Sequence, residues 1–449
     1  LSTRNIFYYG KIRLKSTLIK YEHHQKGENM NYEKIKNESF ELAQTTADER
    51  NAALKNLANL LKTHEKEIIE ANNKDIQMAE KNNLSPQIIS RLKFQGNKLK
   101  DAIKGIEDVI SFEDPLFKTT LKRKLADTLT LKRITCPIGV IGVIFESRPD
   151  AMVQIASLCI KSGNAVVLKG GSEAKNSNIL LASLIKEAGK EAGFGDNFIN
   201  LLEDRSDVGE LLKMHNYVDL IIPRGSNEFV SYIMENSKIP VMGHSDGVCN
   251  IYVDSDADIK KAVDIIIDSK TQYVSACNAA ENLLVHEKIA PKLLPELQKT
   301  SATSIKLLGT KEVQDIIECE IATEDDFRTE YLGYILSAKI VPSIDVAIKE
   351  INENSSHHTD CIISNNEQSI DKFTRAIDSA DVFSNCSTRF ADGYRFGFGA
   401  EVGISTGKLH ARGPVGLEGL ITYKYTLSGN GDIVKPYAEQ EKTFNFVDL

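Results

Sequence analysis

The sequence predicts an α/β fold built on parallel sheets. Short apolar runs such as NAVVLKGG (164–171) and VDLIIPRG (218–225) each precede a segment with helical periodicity, and the same order starts again at CNIYVD (249–254). Strands and helices that alternate at this length are typical of βαβ units. Ligands bind beyond the carboxyl ends of the strands in such sheets, so we expect the functional side chains there.

Residues 1–29 differ from the rest of the chain. They contain six Lys or Arg against two Glu, begin with Leu, and end where Met30 opens an amphipathic segment. We expect a tail that does not belong to the fold, and a targeting peptide is the less favoured alternative.

Helices are predicted from Asn31 to about Asn83, where leucine and isoleucine recur at three- to four-residue spacing among charged residues. Ser85 followed by Pro86 is typical of a helix start, with an N-cap residue and a proline at the first helical position. Alternation in LKRKLADTLTLKR (121–133) predicts a strand or arm near residues 120–136.

These patterns divide the chain after the tail into three segments. We predict a Rossmann-type nucleotide-binding domain at 30–253, a second α/β domain at 254–395, and a segment at 396–449 that returns to the first domain. The last segment alternates on both sides of Ser428–Gly431, which predicts a hairpin. An exposed hairpin needs a partner edge, so we expect a homo-oligomer, either a dimer or a tetramer.

Composition excludes several classes of function. The apolar content of 41% and the charged content of 26% are ordinary for a globular protein, and runs such as IGVIGVIF (138–145) are far shorter than the roughly 20 residues that cross a bilayer. The seven cysteines show neither a disulfide framework nor a Cys-x-x-Cys pair, which indicates a reducing compartment, the cytoplasm, and no metal site. A net charge of −8 without a basic stripe argues against nucleic acid, so we expect a small-molecule substrate.

Cys277 lies in the stretch VSACNAAENLLVH (274–286). Small residues around it, followed by an apolar run, predict a loop that enters a helix. A thiol at a helix N-terminus is favoured as the thiolate, which is the nucleophilic form. The alternative is a buried structural cysteine, since free cysteine is among the most buried residue types.

Two glycine turns after predicted strands are candidate phosphate or ribose contacts. LKGGSEA (168–174) places Lys169 at a strand end and Ser172 at a helix start, and no acidic residue precedes Ser172 in the turn. Backbone N–H groups at such turns bind phosphate, and a phosphorylated ribose would meet no repulsion there, which favours NADP. Ordinary tight turns are the alternative. IIPRGS (221–226) repeats this order with Pro223, Arg224, Gly225 and Ser226.

The region after residue 384 is rich in arginine and glycine. Arg389, Arg395 and Arg412 are candidates for anion binding because guanidinium groups match carboxylate and phosphate bidentately. Surface arginines in a loop are the alternative. GFGAEVG (397–403) lacks both the G-x-G-x-x-G intervals and a βαβ context, so it is predicted as a loop that brings backbone close to another group.

Together these segments resemble the glutamate-5-semialdehyde dehydrogenase family, also called the gamma-glutamyl phosphate reductases, a branch of the aldehyde dehydrogenase superfamily. The resemblance runs from about Met30 to Lys435 and leaves residues 1–29 outside. The segments that carry it are PIGVIGVIFESRPD, VVLKGGSEA, IPRGSNEFV, SACNAAENLLVH, TEYLGYILSAKIV, SHHTD around His358, and RFGFGAEVGISTGKLHARGPVGLEGLITYKY.

The resemblance implies an aldehyde-dehydrogenase-like fold in which residues 254–395 form the catalytic domain. It also implies reduction of L-glutamyl 5-phosphate by NADPH to L-glutamate 5-semialdehyde and phosphate, the second step of proline biosynthesis from glutamate. Cys277 matches the family's nucleophile, which forms a thioacyl enzyme that then accepts hydride. Backbone N–H groups of Cys277 and Asn278 are expected to stabilise the oxyanion.

The resemblance also assigns positions to the ligands. Lys169, Ser172 and residues 223–226 match the cofactor side, and Glu330 matches the acid that contacts the nicotinamide ribose in the superfamily. The candidates for the glutamyl carboxylate or the phosphate are His244, Arg389, Arg395 and Arg412.

Two departures from ordinary aldehyde dehydrogenases bear on the chemistry. PVMGHSDGVCNIYVD (240–254) has no acid at the position of the glutamate that activates water, so phosphate exchange is expected instead of hydrolysis. FESRP (145–149) replaces the segment with the oxyanion asparagine, which leaves Ser147 or Arg148 as substitutes. The acyl phosphate must come from another enzyme, so we expect transient association with glutamate 5-kinase. The alternatives are another thioacyl-forming aldehyde dehydrogenase, which uses coenzyme A or a different acyl phosphate, and a catalytically silent scaffold.

Overall fold

Two parallel sheets carry the fold in the computed structural model, which describes residues 30–203, 207–301 and 303–449. The strands, in chain order, are β1 (Thr119–Ala126), β2 (Leu129–Pro137), β3 (Val140–Phe145), β4 (Ala165–Gly170), β5 (Ile199–Leu202), β6 (Leu220–Arg224), β7 (Cys249–Val253), β8 (Ala280–His286), β9 (Lys306–Gly309), β10 (Glu320–Ile321), β11 (Ile335–Val341), β12 (Thr359–Ile363), β13 (Asp381–Ser384), β14 (Gly403–Ser405), β15 (Gly413–Val415), β16 (Ile421–Ser428) and β17 (Val447–Asp448). The first parallel sheet has the order β5-β4-β3-β6, and the second has the order β10-β9-β11-β8-β7-β12-β13.

Helices cover both parallel sheets. In chain order they are α1 (Tyr32–Leu42), α2 (Ala47–Thr63), α3 (Glu65–Lys81), α4 (Pro86–Leu92), α5 (Asn97–Ser111), α6 (Pro149–Lys161), α7 (Lys175–Glu191), α8 (Asp207–Leu211), α9 (Asn227–Asn236), α10 (Ile259–Thr271), α11 (Ala290–Ser301), α12 (Lys311–Gln314), α13 (Ile344–Asn354), α14 (Glu367–Ala376) and α15 (Lys435–Ala438). Among the described residues, no helix is long and apolar enough to span a membrane. The predicted tail at 1–29 lies outside the described residues.

The predicted N-terminal helices are confirmed. Ser85 caps α4, and Pro86 occupies its first turn. Asp75 of α3 is buried and accepts hydrogen bonds from the backbone N–H groups of Asn176 and Ser177, at 3.0 and 2.8 Å. The start of α7 therefore receives from α3 the acceptor that a helix N-terminus needs, which fixes α7 beside the turn that follows β4.

The order in which strands are added to the first sheet reverses at β3. Strands β3, β4 and β5 follow each other outward on one side, and β6 returns to the other side of β3, with Phe145 opposite Arg224. Apolar side chains of this sheet and of the segment from Ala400 to Leu420 share one hydrophobic core. A crevice for ligands is expected at such a switch point, beyond the carboxyl ends of β3 and β6.

The second sheet corrects one predicted boundary. Strand β7, which the boundary after residue 253 assigned to the first domain, pairs with β8 and β12 and belongs to the second sheet. All pairs in this sheet are parallel, and β7, β8 and β12 are fully buried. Such strands read as continuous apolar runs, so alternation does not mark them in the sequence.

The arm near residues 120–136 is an antiparallel hairpin of β1 and β2, and the predicted C-terminal hairpin is wrong. Strand β16 pairs with β2 over its whole length, and the chain beyond Gly431 continues into α15 and β17. Strand β16, which was predicted to pair within a local hairpin, therefore pairs with β2, a strand far away in the sequence. Tyr423, Tyr425 and Leu427 remain more than half exposed on β16, and the homo-oligomer stays a prediction.

Candidate active site

A cleft of about 1000 Å³ opens at the carboxyl ends of β3 and β6 and reaches the turn before β8. It occupies the position that the strand order predicts. The predicted site residues that line it are Ser147, Arg148, Pro223, Arg224, Gly225, Ser226, His244, Cys277, Asn278, Glu330 and Arg389.

Cys277 lies on a tight turn between α10 and β8, so the predicted helix after it is wrong. The run from Ala280 to Val285 is a buried strand, and a short apolar run does not distinguish a buried strand from a helix. A Cβ atom on Gly247 would lie 2.1 Å from the Cys277 carbonyl oxygen. Only glycine lets these two backbones approach so closely, so Gly247 fixes the position of the turn. Because no helix begins at Cys277, no helix dipole acts on its thiol.

His358 lies beside the thiol and was not among the predicted site residues. Its Nε2 atom is 3.1 Å from Cys277 Sγ, and the side chain is fully buried at the start of β12. Nδ1 is 2.8 Å from Thr359 Oγ1, which in turn contacts Asp381 Oδ2 at 3.5 Å. When the threonine hydroxyl donates to Asp381, it accepts from Nδ1–H, and Nε2 then presents its lone pair to the thiol. The arrangement is that of a nucleophile with its base.

A second histidine completes the floor of the cleft. The His244 ring lies edge-on to His358 with centroids 4.8 Å apart, and its Nδ1 is 2.8 Å from the Ile404 carbonyl oxygen. That carbonyl can only accept, so Nδ1 carries the proton. Burial lowers the pKa of His244, which favours the neutral ring.

The hydrogen bonds show which of the predicted oxyanion donors are still available. Among the described residues, the backbone N–H groups of Cys277 and Asn278 donate no hydrogen bond, so both remain available. The Asn278 amide donates to the Ala391 carbonyl oxygen at 2.7 Å. The Ser147 hydroxyl donates to Glu173 Oε1 at 2.7 Å, so its proton is already used, and Arg148 remains as the side-chain candidate.

Two carboxylates that the sequence interpretation missed line the cleft just after β3 and β4. Glu146 Oε2 accepts from the Ser226 N–H at the start of α9, at 3.1 Å. Glu173, directly after Ser172, accepts from both the N–H and the hydroxyl of Ser147, whose backbone is left-handed with a φ of 48°. No acid precedes Ser172 in the turn, but Glu173 follows it directly, and both carboxylates are held by the protein's own donors.

These residues fit a dinucleotide. The N-terminus of α9 holds the Glu146 carboxylate through the Ser226 N–H, and the other N–H groups of its first turn remain for a phosphate of a cofactor. A Cβ atom on Gly225 would lie 2.8 Å from Glu146 Oε2 and 2.9 Å from the Phe229 ring, so a larger residue would have to displace these side chains. Apolar Leu84 and Ile88 with Arg91 border the same end of the cleft.

Glu330 lies beside the start of α9, within hydrogen-bond distance of Asn227. The Asn227 amide donates to Glu330 Oε2 at 2.7 Å and to Asp246 Oδ1 at 2.8 Å, which links the two acids. Burial raises the pKa of Glu330. An acid held in this way accepts hydrogen bonds from hydroxyl groups, as its predicted contact with a ribose requires.

Besides Arg91, three arginines line the cleft: Arg148, Arg224 and Arg389. Arg389 lies with its guanidinium 5.9 Å from the Tyr273 ring centre, and its Nε donates to Gln272 Oε1 at 2.9 Å. Arg224 packs over Gly403, where a Cβ atom would lie 2.6 Å from Nη1. Burial and the neighbouring Arg148 lower the pKa of Arg224. Guanidinium groups gathered in this way favour an anionic ligand.

Four predicted site residues do not line the cleft. Lys169 is buried, and its Nζ donates to the Gly170 carbonyl oxygen at 2.6 Å, whereas Ser172 is exposed. Arg395 donates to the Arg389 carbonyl oxygen and so acts on the cleft only through Arg389. Arg412 pairs with Asp378 at 3.3 Å, away from the cleft, and a direct substrate contact is not supported.

Residues 24–314 match the model of the aldehyde dehydrogenase family. The chain is 56% identical over 411 residues to the gamma-glutamyl phosphate reductase of Acetivibrio thermocellus. The aligned region covers 91% of this chain and 95% of that protein. It is 50% identical to gamma-glutamyl phosphate reductase 1 of Synechocystis, over 92% of this chain and 95% of that protein. The crystal structure of the Thermotoga maritima gamma-glutamyl phosphate reductase superposes with a TM-score of 0.88 at 40% identity, covering 90% of this chain and 98% of that one. The chain therefore belongs to the aldehyde dehydrogenase family, in its gamma-glutamyl phosphate reductase branch.

Proposed function

We propose that the protein reduces L-glutamyl 5-phosphate to L-glutamate 5-semialdehyde and phosphate, the second step of proline biosynthesis from glutamate. The observation that carries the proposal is the contact of 3.1 Å between Cys277 Sγ and His358 Nε2 inside the cleft. Family membership supports the substrate, since the relatives bear the name of this activity.

In the first half of the reaction, His358 Nε2 accepts the thiol proton and Cys277 Sγ attacks the acyl carbon. Backbone N–H groups of Cys277 and Asn278 hold the oxyanion that forms. The bond between carbon and the phosphate oxygen then breaks, phosphate leaves, and a thioester on Cys277 remains. Arg148 and Arg224 are placed to offset the charge of the phosphate.

In the second half, the thioester is reduced and the aldehyde leaves Cys277. The nicotinamide cofactor supplies the hydride. The N–H groups in the first turn of α9, other than that of Ser226, which Glu146 already holds, would bind its phosphates, and Glu330 would accept from the ribose hydroxyls. Departure of the aldehyde returns the thiolate, which the proton on His358 Nε2 neutralises.

The cofactor is proposed to be NADP(H). Arg91 borders the nucleotide end of the cleft and offers a cation to a ribose phosphate. The carboxylate of Glu173, which would otherwise compete for ribose hydroxyls, accepts two hydrogen bonds from Ser147 instead. The substrate's α-carboxylate is assigned to Arg389, which Gln272 and Tyr273 hold in place.

The reverse reaction tests the proposal. Purified protein with glutamate semialdehyde and NADP is expected to form NADPH only when inorganic phosphate is present, and more slowly with NAD. Absorbance of NADPH is the readout, with coenzyme A in place of phosphate as a parallel arm. Equal rates without phosphate would identify a hydrolysing aldehyde dehydrogenase, and a rate that depends on coenzyme A would identify a different acyl acceptor.

Acyl phosphates are labile in water, so we also propose that glutamate 5-kinase delivers the substrate through transient association in the cytoplasm, with this protein as a homo-oligomer. Light scattering of the two proteins during turnover should then show a species heavier than either alone. Two independent species under turnover would remove the association.

A further inference from the structure

Three side chains that ligate soft metal ions converge at the floor of the cleft. Cys277, His244 and His358 each offer one ligand atom, and these atoms lie within 4.8 Å of one another. One thiolate with two imidazoles, and a fourth position open to the cleft, is the ligand set of a three-residue zinc centre. The trio comes from three separate segments, ahead of β7, β8 and β12, that only folding brings together.

Both imidazoles are already oriented as metal ligands. His244 donates its Nδ1–H to the Ile404 carbonyl oxygen, and His358 Nδ1 lies 2.8 Å from Thr359 Oγ1. In each ring Nδ1 is therefore occupied and Nε2 keeps the lone pair. Outer hydrogen bonds of this kind fix the tautomer and the ring plane of metal-bound histidines.

The distances are close to those of a bound ion. Zinc lies about 2.3 Å from sulfur and about 2.0–2.1 Å from nitrogen, which places ligand atoms roughly 3.3–3.6 Å apart in a tetrahedron. Cys277 Sγ and His358 Nε2 are 3.1 Å apart, and the largest separation in the trio is 4.8 Å. Binding at one centre therefore requires the most distant pair of ligand atoms to approach by roughly 1.2–1.5 Å.

Local charge selects the class of ion. Arg224 lies near both Cys277 and His244 and opposes any cation, whereas Glu330 and Asp246 on the His244 side favour one. A hard ion such as magnesium gains nothing from nitrogen and sulfur and is not expected to bind. An ion that bonds strongly to thiolate and imidazole overcomes the repulsion from Arg224 through the energy of those bonds. This favours an ion of the zinc class.

Cys249 is the nearest competing thiol, and the geometry excludes it. Its Sγ atom lies 3.9 Å from Nδ1 of His358, on the opposite side of that ring from Cys277. Its thiol donates to the Cys277 carbonyl oxygen, and burial raises its pKa well above the ordinary value.

We propose that Cys277, His244 and His358 form a binding site for one thiophilic divalent cation of the zinc class, and that its occupancy switches the enzyme off. The Cys277 thiol loses its proton to solvent as the sulfur–metal bond forms, and no group is oxidised. The bound ion takes both the nucleophile and the lone pair of its base, so the acyl phosphate cannot be attacked. Binding itself does not depend on the proposed function; only the inhibition does.

Cobalt titration of the full-length, reduced and metal-free protein tests the site. One equivalent of Co²⁺ should produce a thiolate-to-cobalt charge-transfer band with tetrahedral d–d absorption, and Zn²⁺ should displace it. His244→Gln should weaken the binding by more than about 100-fold, since loss of even an outer hydrogen bond costs about 10- to 100-fold in affinity. Cys277→Ser should remove the charge-transfer band. His215→Gln, at an exposed histidine outside the cleft, is the matched control and should leave the titration unchanged.

A charge-transfer band of unchanged strength and affinity in His244→Gln, or no band in the wild-type protein, would overturn the site. Inhibition is measured separately, with chelator-buffered Zn²⁺ in the reductase assay and its reversal by excess chelator. Wild-type protein that binds one Co²⁺ but turns over at full rate with Zn²⁺ bound would overturn the switch. Protein without reductase activity would sink the proposed function, yet the titration would still decide the site.

Discussion

Replacing Cys277 with alanine is expected to abolish reduction of glutamyl phosphate, and His358→Gln is expected to lower kcat by about 10²- to 10⁴-fold with little change in KM. The first change removes the atom that carries the acyl group, and the second removes the group that accepts its proton. Because both act in one step, the double variant should be no slower than Cys277→Ala alone.

The measurement is NADPH oxidation with freshly made acyl phosphate, together with acid-quench detection of the protein thioester by mass spectrometry. Cys319→Ala, at a half-buried cysteine outside the cleft, is the control and should keep full activity. Thioester accumulation is expected in the wild-type protein when cofactor is withheld. Reduction at the normal rate by Cys277→Ala would sink the covalent mechanism, and an unchanged kcat for His358→Gln would remove the assigned base.

Lys270→Met is expected to destabilise the protein by about 3–5 kcal/mol, the largest stability effect we foresee for a single substitution outside the cleft. Lys270 of α10 and Glu281 of β8 form an ion pair in which both side chains are 0% exposed. Burial raises the pKa of Glu281 and lowers that of Lys270, so each charge depends on the other. Removal of the lysine leaves a carboxylate in the core that no cation offsets.

Lowering the pH should partly restore the stability that Lys270→Met loses. A carboxyl whose pKa in the folded protein lies above its unfolded value binds more protons when folded, so the stability of Lys270→Met should fall as pH rises from about 5 to about 8. The double substitution Lys270→Met with Glu281→Met should recover most of the free energy of unfolding, because apolar pairs often replace buried ion pairs without loss.

Urea denaturation gives the free energies, provided that the slope with denaturant is unchanged. Lys372→Met breaks an exposed pair with Asp345 and should have a far smaller effect. Because Glu281 follows Cys277 by four residues, Lys270→Met is also expected to lower activity by displacing the catalytic turn. A penalty as small as that of Lys372→Met would show that the core tolerates the isolated carboxylate.

The N-terminal helices and the alternation of strands with helices could be predicted because their signals are local. Leucine at helical spacing in α2 and the Ser85-Pro86 start of α4 report structure within a single turn of helix. The glycine turn after β6 likewise predicts the end of a strand and the start of a helix. Each signal depends on neighbours in sequence, so no knowledge of distant contacts is needed.

The wrong predictions share the opposite cause. Strand β8 was predicted as a helix because a buried parallel strand has no polar face to reveal its period. The C-terminal hairpin was predicted from the glycines around residue 430, but β16 pairs with β2, which lies far away in the chain. Local turn residues permit a hairpin but do not require one. The partner of β16 is the strand with which it can form the longer run of paired residues.

The site divides in the same way. Residue types marked Cys277 and the glycine turns as candidates, because each lies in a motif whose chemistry is readable within a few positions, whereas Glu330 was identified only through the family resemblance. His358 lies 81 residues from Cys277, and the role of Arg412 was decided by Asp378, 34 residues away. The sequence therefore determined the fold class and, with the family resemblance, the candidate nucleophile. Tertiary structure alone decided which base, which arginines and which second histidine surround that nucleophile, because such distances become contacts only when the second sheet is assembled.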